Sequence, residues 1–155
     1  MKIKYEYTFG LPRRIVWKFI KDQNVLRNSI SGCKSFVESS SGVYKAEVEI
    51  SMGPIKDHFI IDICRQKELA PSFYRLHVKG KGNLGEIEAY ADLNFYEAQG
   101  GTKLSIVADA EVTGALSVAA KRMLDGGANK GLERFFQKLE REIKVTLYKL
   151  KREGR

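Results

Sequence analysis

Few side chains in this sequence are of types that do acid–base or nucleophilic chemistry, and their spacing keeps them apart. There are two histidines and two cysteines. His58 and His77 fall on the strand phase opposite their apolar neighbours, so both are expected to face solvent. Cys64 shares the phase of His58, and Cys33 follows a glycine at a loop-to-strand junction with no predictable base beside it. No CxxC, HExxH, GxSxG or GKS/T motif occurs. Gly80-Lys81-Gly82-Asn83-Leu84-Gly85 fits G-x-G-x-x-G by letter. It stands between two strands rather than opening a helix, so it lacks the helix N-terminus that would receive a pyrophosphate. Two kinds of candidate remain. Asp57 shares the inward phase of Ile55 and Phe59 near a strand start, where a rim position is expected. Tyr5, Tyr7, Tyr44 and Tyr74 lie on otherwise apolar faces, where a hydroxyl can orient a ligand carbonyl or hydroxyl.

The elements that must position these groups follow from period. Ile3, Tyr5, Tyr7 and Phe9 alternate with Lys2, Lys4, Glu6 and Thr8 as a half-buried strand. Pro12 suits a helix start, and Val16, Phe19 and Ile20 follow at helical spacing. Asp22 closes that helix and can cap a second short one carrying Val25, Leu26 and Ile30. From residue 34 to 112 the period is two, punctuated at Ser41-Gly42, Gly53-Pro54, Ala70-Pro71-Ser72, Gly80-Lys81-Gly82 and Gly100-Gly101. Consecutive hairpin-linked strands with one wet face predict a twisted antiparallel sheet. After residue 114 the helical period returns, with Leu132, Phe135, Phe136, Leu139, Ile143 and Leu147 on one side and Lys130, Arg134, Lys138, Arg141 and Lys144 on the other. Gly126-Gly127 predicts a kink or break in this long helix, and residues 149–155 are expected to fray into a basic tail.

The sheet needs a cover for its apolar face, and the final helix is the element long enough to supply it. The helix carries small residues at Gly114, Ala115, Ala119, Ala120 and Ala128, facing Gly85, Ala89 and Ala91 on a strand. Small facing small predicts either close packing or unfilled volume, and across a concave sheet a cavity is expected. Inward periodicity nominates Tyr44, Val48, Ile50, Phe59, Ile61, Tyr74, Leu76, Ala89, Ala91, Ile106, Ala108, Ala120, Met123, Leu124 and Ala128 as its ligand-binding lining.

At 155 residues, with 43% hydrophobic and 30% charged, the chain reads as one globular domain, residues 1–148, followed by the basic tail 149–155. Two cysteines make no disulfide framework and fit a reducing cytoplasm. The N-terminus lacks the apolar run of a secretory signal, and no stretch reaches the ~20 apolar residues of a membrane span. The formal charge is +8. It is spread over a helix face and the tail without interleaved aromatics, so nucleic acid is not the expected partner. A solvated face, or docking to an acidic protein or to anionic headgroups at a membrane, fits that distribution.

Short motifs in order along the chain resemble a known family. They are Val16-Trp17 with Asp22, Ser31-Gly32-Cys33, Tyr44-Lys45-Ala46, Met52-Gly53-Pro54-Ile55-Lys56 with Phe59, Gly80-Lys81-Gly82 with Gly85, Gly101-Thr102-Lys103-Leu104, Gly114-Ala115-Leu116 and Phe135-Phe136. Together they resemble the CoxG-like family, named for carbon monoxide dehydrogenase, within the START/Bet v 1-like (SRPBCC) superfamily. Ser31 stands where that family usually has proline, and Asp57 where it has a small residue. The resemblance implies an α+β helix-grip fold, in which a curved antiparallel sheet of about seven strands wraps a long C-terminal helix. It also implies a carrier of an apolar ligand (lipid, isoprenoid or quinone-like), or an accessory protein for a molybdenum-containing dehydrogenase. It brings no shared catalytic set. The expectation is therefore a cytoplasmic binding protein, not an enzyme, with no cofactor. Two alternatives are kept: a cyclase- or hydrolase-type enzyme using Asp57 and a tyrosine, and a protein-docking module without a ligand.

Overall fold

The computed structural model describes residues 1–52, 54–125 and 130–154, with the side chains of Met52, Ile55 and residues 122–125 left outside the description. The elements run β1 (Lys2–Phe9), α1 (Arg13–Phe19), α2 (Gln23–Ser29), β2 (Cys33–Ser40), β3 (Val43–Met52), β4 (Ile55–Leu69), β5 (Phe73–Gly82), β6 (Gly85–Ala98), β7 (Gly101–Val112), α3 (Ala115–Asp125) and α4 (Lys130–Glu153). The seven strands form one sheet in the order β1-β7-β6-β5-β4-β3-β2. Every neighbouring pair is antiparallel. This is the α+β helix-grip arrangement.

Local chemistry explains the element ends. Pro12 occupies the N-cap of α1 in an extended conformation, one position before the first helical residue. The Asp22 carboxylate accepts from the Asn24 and Val25 amides at 2.9 and 3.0 Å, capping α2 as its type and position predict. Alternation puts Phe9, Phe59, Phe95 and Leu104 on the inner face of the sheet. Helical spacing puts Phe136, Leu139 and Ile143 on the facing stripe of α4, and all seven are essentially inaccessible. The Phe136 ring stacks on both Tyr5 and Tyr7 at 5.6 Å, which seats α4 across β1.

Three expectations need adjustment. The C-terminal helical region is described as two helices, α3 and α4, and the break expected at Gly126-Gly127 lies outside the described residues. The tail does not fray at residue 149, because α4 continues through Glu153. Gly80-Lys81-Gly82 is not a turn but the end of β5. Gly82 pairs with Gly85 across a two-residue connection, Asn83-Leu84. The glycines are there for close approach. A Cβ on Gly82 would lie 2.8 Å from the Asp57 carboxylate, and one on Gly85 (φ +144°) would lie 1.9 Å from the Thr113 carbonyl oxygen. Leu84 O in turn accepts from the Leu116 amide, pinning the start of α3 to the hairpin. At this corner, small residues mean close backbone contact rather than open volume.

Candidate functional site

A cavity of about 220 Å³ opens between the concave face of the sheet and the first turns of α4, under the α1–α2 segment. Its floor is Phe36, Tyr44, Ile63, Arg65, Tyr74, Leu76, Ala91, Leu93 and Ile106, and its roof is Ile20, Lys21, Leu26, Ile30, Phe135, Phe136 and Leu139. Its volume equals that of about seven waters at ~30 Å³ each. It falls below the ~300–1,000 Å³ of drug-sized pockets, so it suits a small guest or one part of a longer one.

The four tyrosines separate into different jobs. The Tyr5 hydroxyl donates to Glu133 (3.2 Å) and the Tyr7 hydroxyl to Glu140 (2.7 Å), so β1 clips α4 through two cross-chain bonds. Burial, then the nearby Glu133 carboxylate, pushes Tyr5 up to about 12. The Tyr44 hydroxyl donates to the Lys21 carbonyl oxygen (2.7 Å) and accepts from the Arg65 guanidinium (2.8 Å). Burial raises it, with Arg65 opposing. Tyr74 is only 3% exposed, yet among the described residues its hydroxyl makes no hydrogen bond.

Arg65 is a charged side chain on the cavity wall that the sequence reading did not nominate. It continues the odd-numbered inward phase of Phe59, Ile61 and Ile63, so the signal was present. Its Nε donates to Glu68 (3.0 Å), which also pairs with Lys21 Nζ (2.8 Å). Lys21 Nζ stands 4.0 Å over the Trp17 ring. The Lys21 and Arg65 bonds hold the Glu68 carboxyl below its ordinary value, against a smaller opposing effect of burial. This network gives one end of an otherwise apolar cavity a polar corner.

Of the nominated lining, Tyr44, Tyr74, Leu76, Ala91 and Ile106 border this cavity. Val48, Ile50, Phe59, Ile61, Ala89, Ala108 and Ala120 do not. Val48 and Phe59 are buried in the inner face, and the others are half-buried. The side chains of Met123 and Leu124, and Ala128 altogether, lie outside the described residues. The α1–α2 and α4 contributors Ile20, Leu26, Ile30, Phe135, Phe136 and Leu139 were not nominated, because period identifies an apolar stripe without saying which stretch of it borders a void.

Asp57 is buried on the inner face but touches no tyrosine hydroxyl. It accepts the amides of His58 (2.7 Å), Asn83 (3.1 Å) and Leu84 (2.6 Å), bracing the β5–β6 connection. Burial would raise its pKa, but those three amides outweigh burial and hold it below the ordinary carboxylate value. It is a turn brace whose charged form the three amides favour, the opposite of a general acid poised near neutrality. The histidines lie on the convex face, His58 paired with Glu47 and His77 with Glu88 at 3.0 Å, the latter ring stacked on Tyr90 at 4.3 Å. Both cysteines are free thiols. Burial raises the Cys33 thiol, with Arg27 and a backbone hydrogen bond at Ser35 opposing, which makes it a poor nucleophile.

A model of the carbon monoxide dehydrogenase CoxG family matches residues 8–144. No curated protein matches the chain. Among solved structures, a conserved protein from Geobacillus kaustophilus superposes with a TM-score of 0.85 at 26% identity, over 94% of this chain and 97% of its own. A protein from Thermus thermophilus aligns with a TM-score of 0.67 at 14% identity, covering 94% of this chain and 99% of that one. Ara h 8.0201 aligns at 0.62 and 14%, covering 94% and 98%. At 14% identity these last two speak for the fold alone.

Proposed function

The chain belongs to the carbon monoxide dehydrogenase CoxG family, and we propose that it is a non-enzymatic binding protein that holds a small apolar molecule between the sheet and α4. The observation that supports this reading is the cavity of about 220 Å³, whose wall is aliphatic and aromatic apart from the corner at Lys21, Tyr44, Arg65 and Tyr74. Interiors pack to near-crystal density, so a void of this size is a departure that a guest would remove. The finer identity we propose is a lipid, isoprenoid or quinone-like ligand, carried in the cytoplasm in service of a molybdenum-containing dehydrogenase. The family description supplies the dehydrogenase. Among the described residues no helix is long and apolar enough to cross a membrane, and any membrane contact would be peripheral, through the basic face of α4. The enzymatic alternative loses its support with Asp57, whose carboxylate is committed to three amides.

The test is uptake of N-phenyl-1-naphthylamine, whose emission rises in apolar surroundings, by the wild-type protein and by Ala91→Phe. Ala91 borders the cavity from β6, so a phenyl group there adds bulk at its wall. Wild type is expected to bind the dye saturably. Ala91→Phe is expected to keep its circular dichroism and lose most of the uptake. Unchanged uptake by the variant would move the site elsewhere.

A further inference from the structure

Of the hydroxyls that the sequence places on inward faces, three are engaged by other groups. Tyr5 and Tyr7 are tied to α4 carboxylates, and Tyr44 both donates to Lys21 O and accepts from Arg65. Tyr74 differs. Its ring is held edge-on by Trp17 at 5.5 Å and tilted against Phe95 at 5.6 Å, so the side chain has one orientation. The residue is almost wholly removed from solvent, yet among the described residues its hydroxyl has no partner. None of the described residues leaves a fully buried side-chain oxygen or nitrogen unpaired, so this hydroxyl must reach open space. The open space that Tyr74 borders is the cavity.

We infer that the Tyr74 hydroxyl is a head-group anchor, donating a hydrogen bond to a neutral oxygen, above all a carbonyl, carried by the apolar guest. The inference rests on the apolar-guest reading above. Three observations decide the chemistry. Burial keeps the phenol protonated and therefore a donor, with Arg65 opposing only in part. The neighbouring cations Arg65 and Lys21 each already hold the Glu68 carboxylate, so the donor left without a partner at this corner is the neutral Tyr74 hydroxyl, which suits a neutral oxygen. The rest of the wall offers aliphatic and aromatic carbon, which suits the body of a molecule with one oxygen at its end. A guest lacking that oxygen would leave a buried phenol unsatisfied, which is how a polar group in an apolar site discriminates between otherwise equal shapes.

The test uses a matched pair, 2-acetylnaphthalene and 2-ethylnaphthalene, which differ by a carbonyl oxygen in place of two hydrogens. Dissociation constants are measured by calorimetry with wild type and Tyr74→Phe. Wild type is expected to favour the ketone by roughly ten-fold beyond the difference set by their water solubilities, in line with one buried hydrogen bond. Tyr74→Phe is expected to abolish that preference while binding the hydrocarbon as well as wild type does, and to unfold at an unchanged or higher denaturant midpoint, since no bond within the fold is lost. If both proteins bind both probes with the same ratio, the anchor is refuted while the apolar-guest reading survives. A drop in the stability of Tyr74→Phe would show that the hydroxyl is already engaged, and would equally refute it. Binding of neither probe by wild type would remove the guest reading and the anchor together.

Discussion

Leu139 and Leu104 are both wholly inaccessible, but they differ in what surrounds them. Leu139 forms part of the cavity roof, whereas Leu104 on β7 is not among the residues bordering that cavity. If the cavity is open, the Leu139 side chain meets empty space on one side and forfeits the dispersion contacts it would have made there. Truncation to alanine then removes fewer contacts at 139 than at 104. Buried Leu→Ala changes span about 2.7–5.0 kcal/mol, depending on how much packed surface is lost. Leu104→Ala should fall in the upper part of that range, about 4–5 kcal/mol, and Leu139→Ala near 3 kcal/mol. The gap of about 1–2 kcal/mol corresponds to a melting difference of about 2–8 °C for a 155-residue chain. The assay is urea unfolding of protein stripped of any bound molecule, read by the fluorescence of the single tryptophan, Trp17, with m-values compared to confirm a common transition. Saturation with an apolar guest should narrow the gap, because Leu139 then touches the guest and its truncation loses those contacts as well. A Leu139→Ala loss equal to or larger than that of Leu104→Ala in the stripped protein would mean that the roof is solidly packed, and the reasoning would fail.

Two further predictions concern the frame that holds the site. Burial would raise the Glu140 carboxyl, but the Tyr7 hydroxyl, the Gly10 amide and Lys144 outweigh it and lower the pKa in the fold. A carboxyl lowered on folding stabilises fully above its ordinary value of 4.5 and loses that contribution as pH falls through it toward the folded value. Glu140→Gln should therefore flatten the fall in denaturant midpoint below pH 4.5, and parallel curves for the two proteins would contradict the assignment. Asp22→Ala removes the acceptor of two α2 amides and should cost about 1 kcal/mol, typical of a lost N-cap, while Asp22→Asn should cost less; equal losses would show that the cap is not the reason.

Most of the architecture was legible because it is periodic. Period two from residue 34 to 112 marked each strand and its inner face, and the Asp22 cap and the Gly100-Gly101 turn were readable from residue type alone. The failures have physical causes. Gly80-Lys81-Gly82 looked like a turn because glycine usually signals one. Here Gly80 admits the Ile87 side chain and Gly82 the Asp57 carboxylate, neighbours set by strand pairing that residue type alone does not reveal. The site was legible in part. Inward phase placed Tyr44, Tyr74, Leu76, Ala91 and Ile106 on the cavity wall, while the emphasis on small side chains pointed to Gly85, Ala89 and Ala91, of which only Ala91 borders the cavity. Phase also carries Arg65 inward, a position the sequence reading did not consider. Glu68 and the Tyr44 hydroxyl, brought together from β4 and β3, satisfy the largely buried guanidinium there.

The central claim is that the space under α4 is built to be occupied. Native mass spectrometry of the protein isolated without detergent or organic solvent, followed by extraction of the same sample, measures that occupancy directly. The account predicts a population heavier than the polypeptide by the mass of a small apolar molecule, released on extraction and absent from Ala91→Phe prepared in parallel. A single species at the mass of the bare chain, with an extract indistinguishable from that of Ala91→Phe, would contradict it.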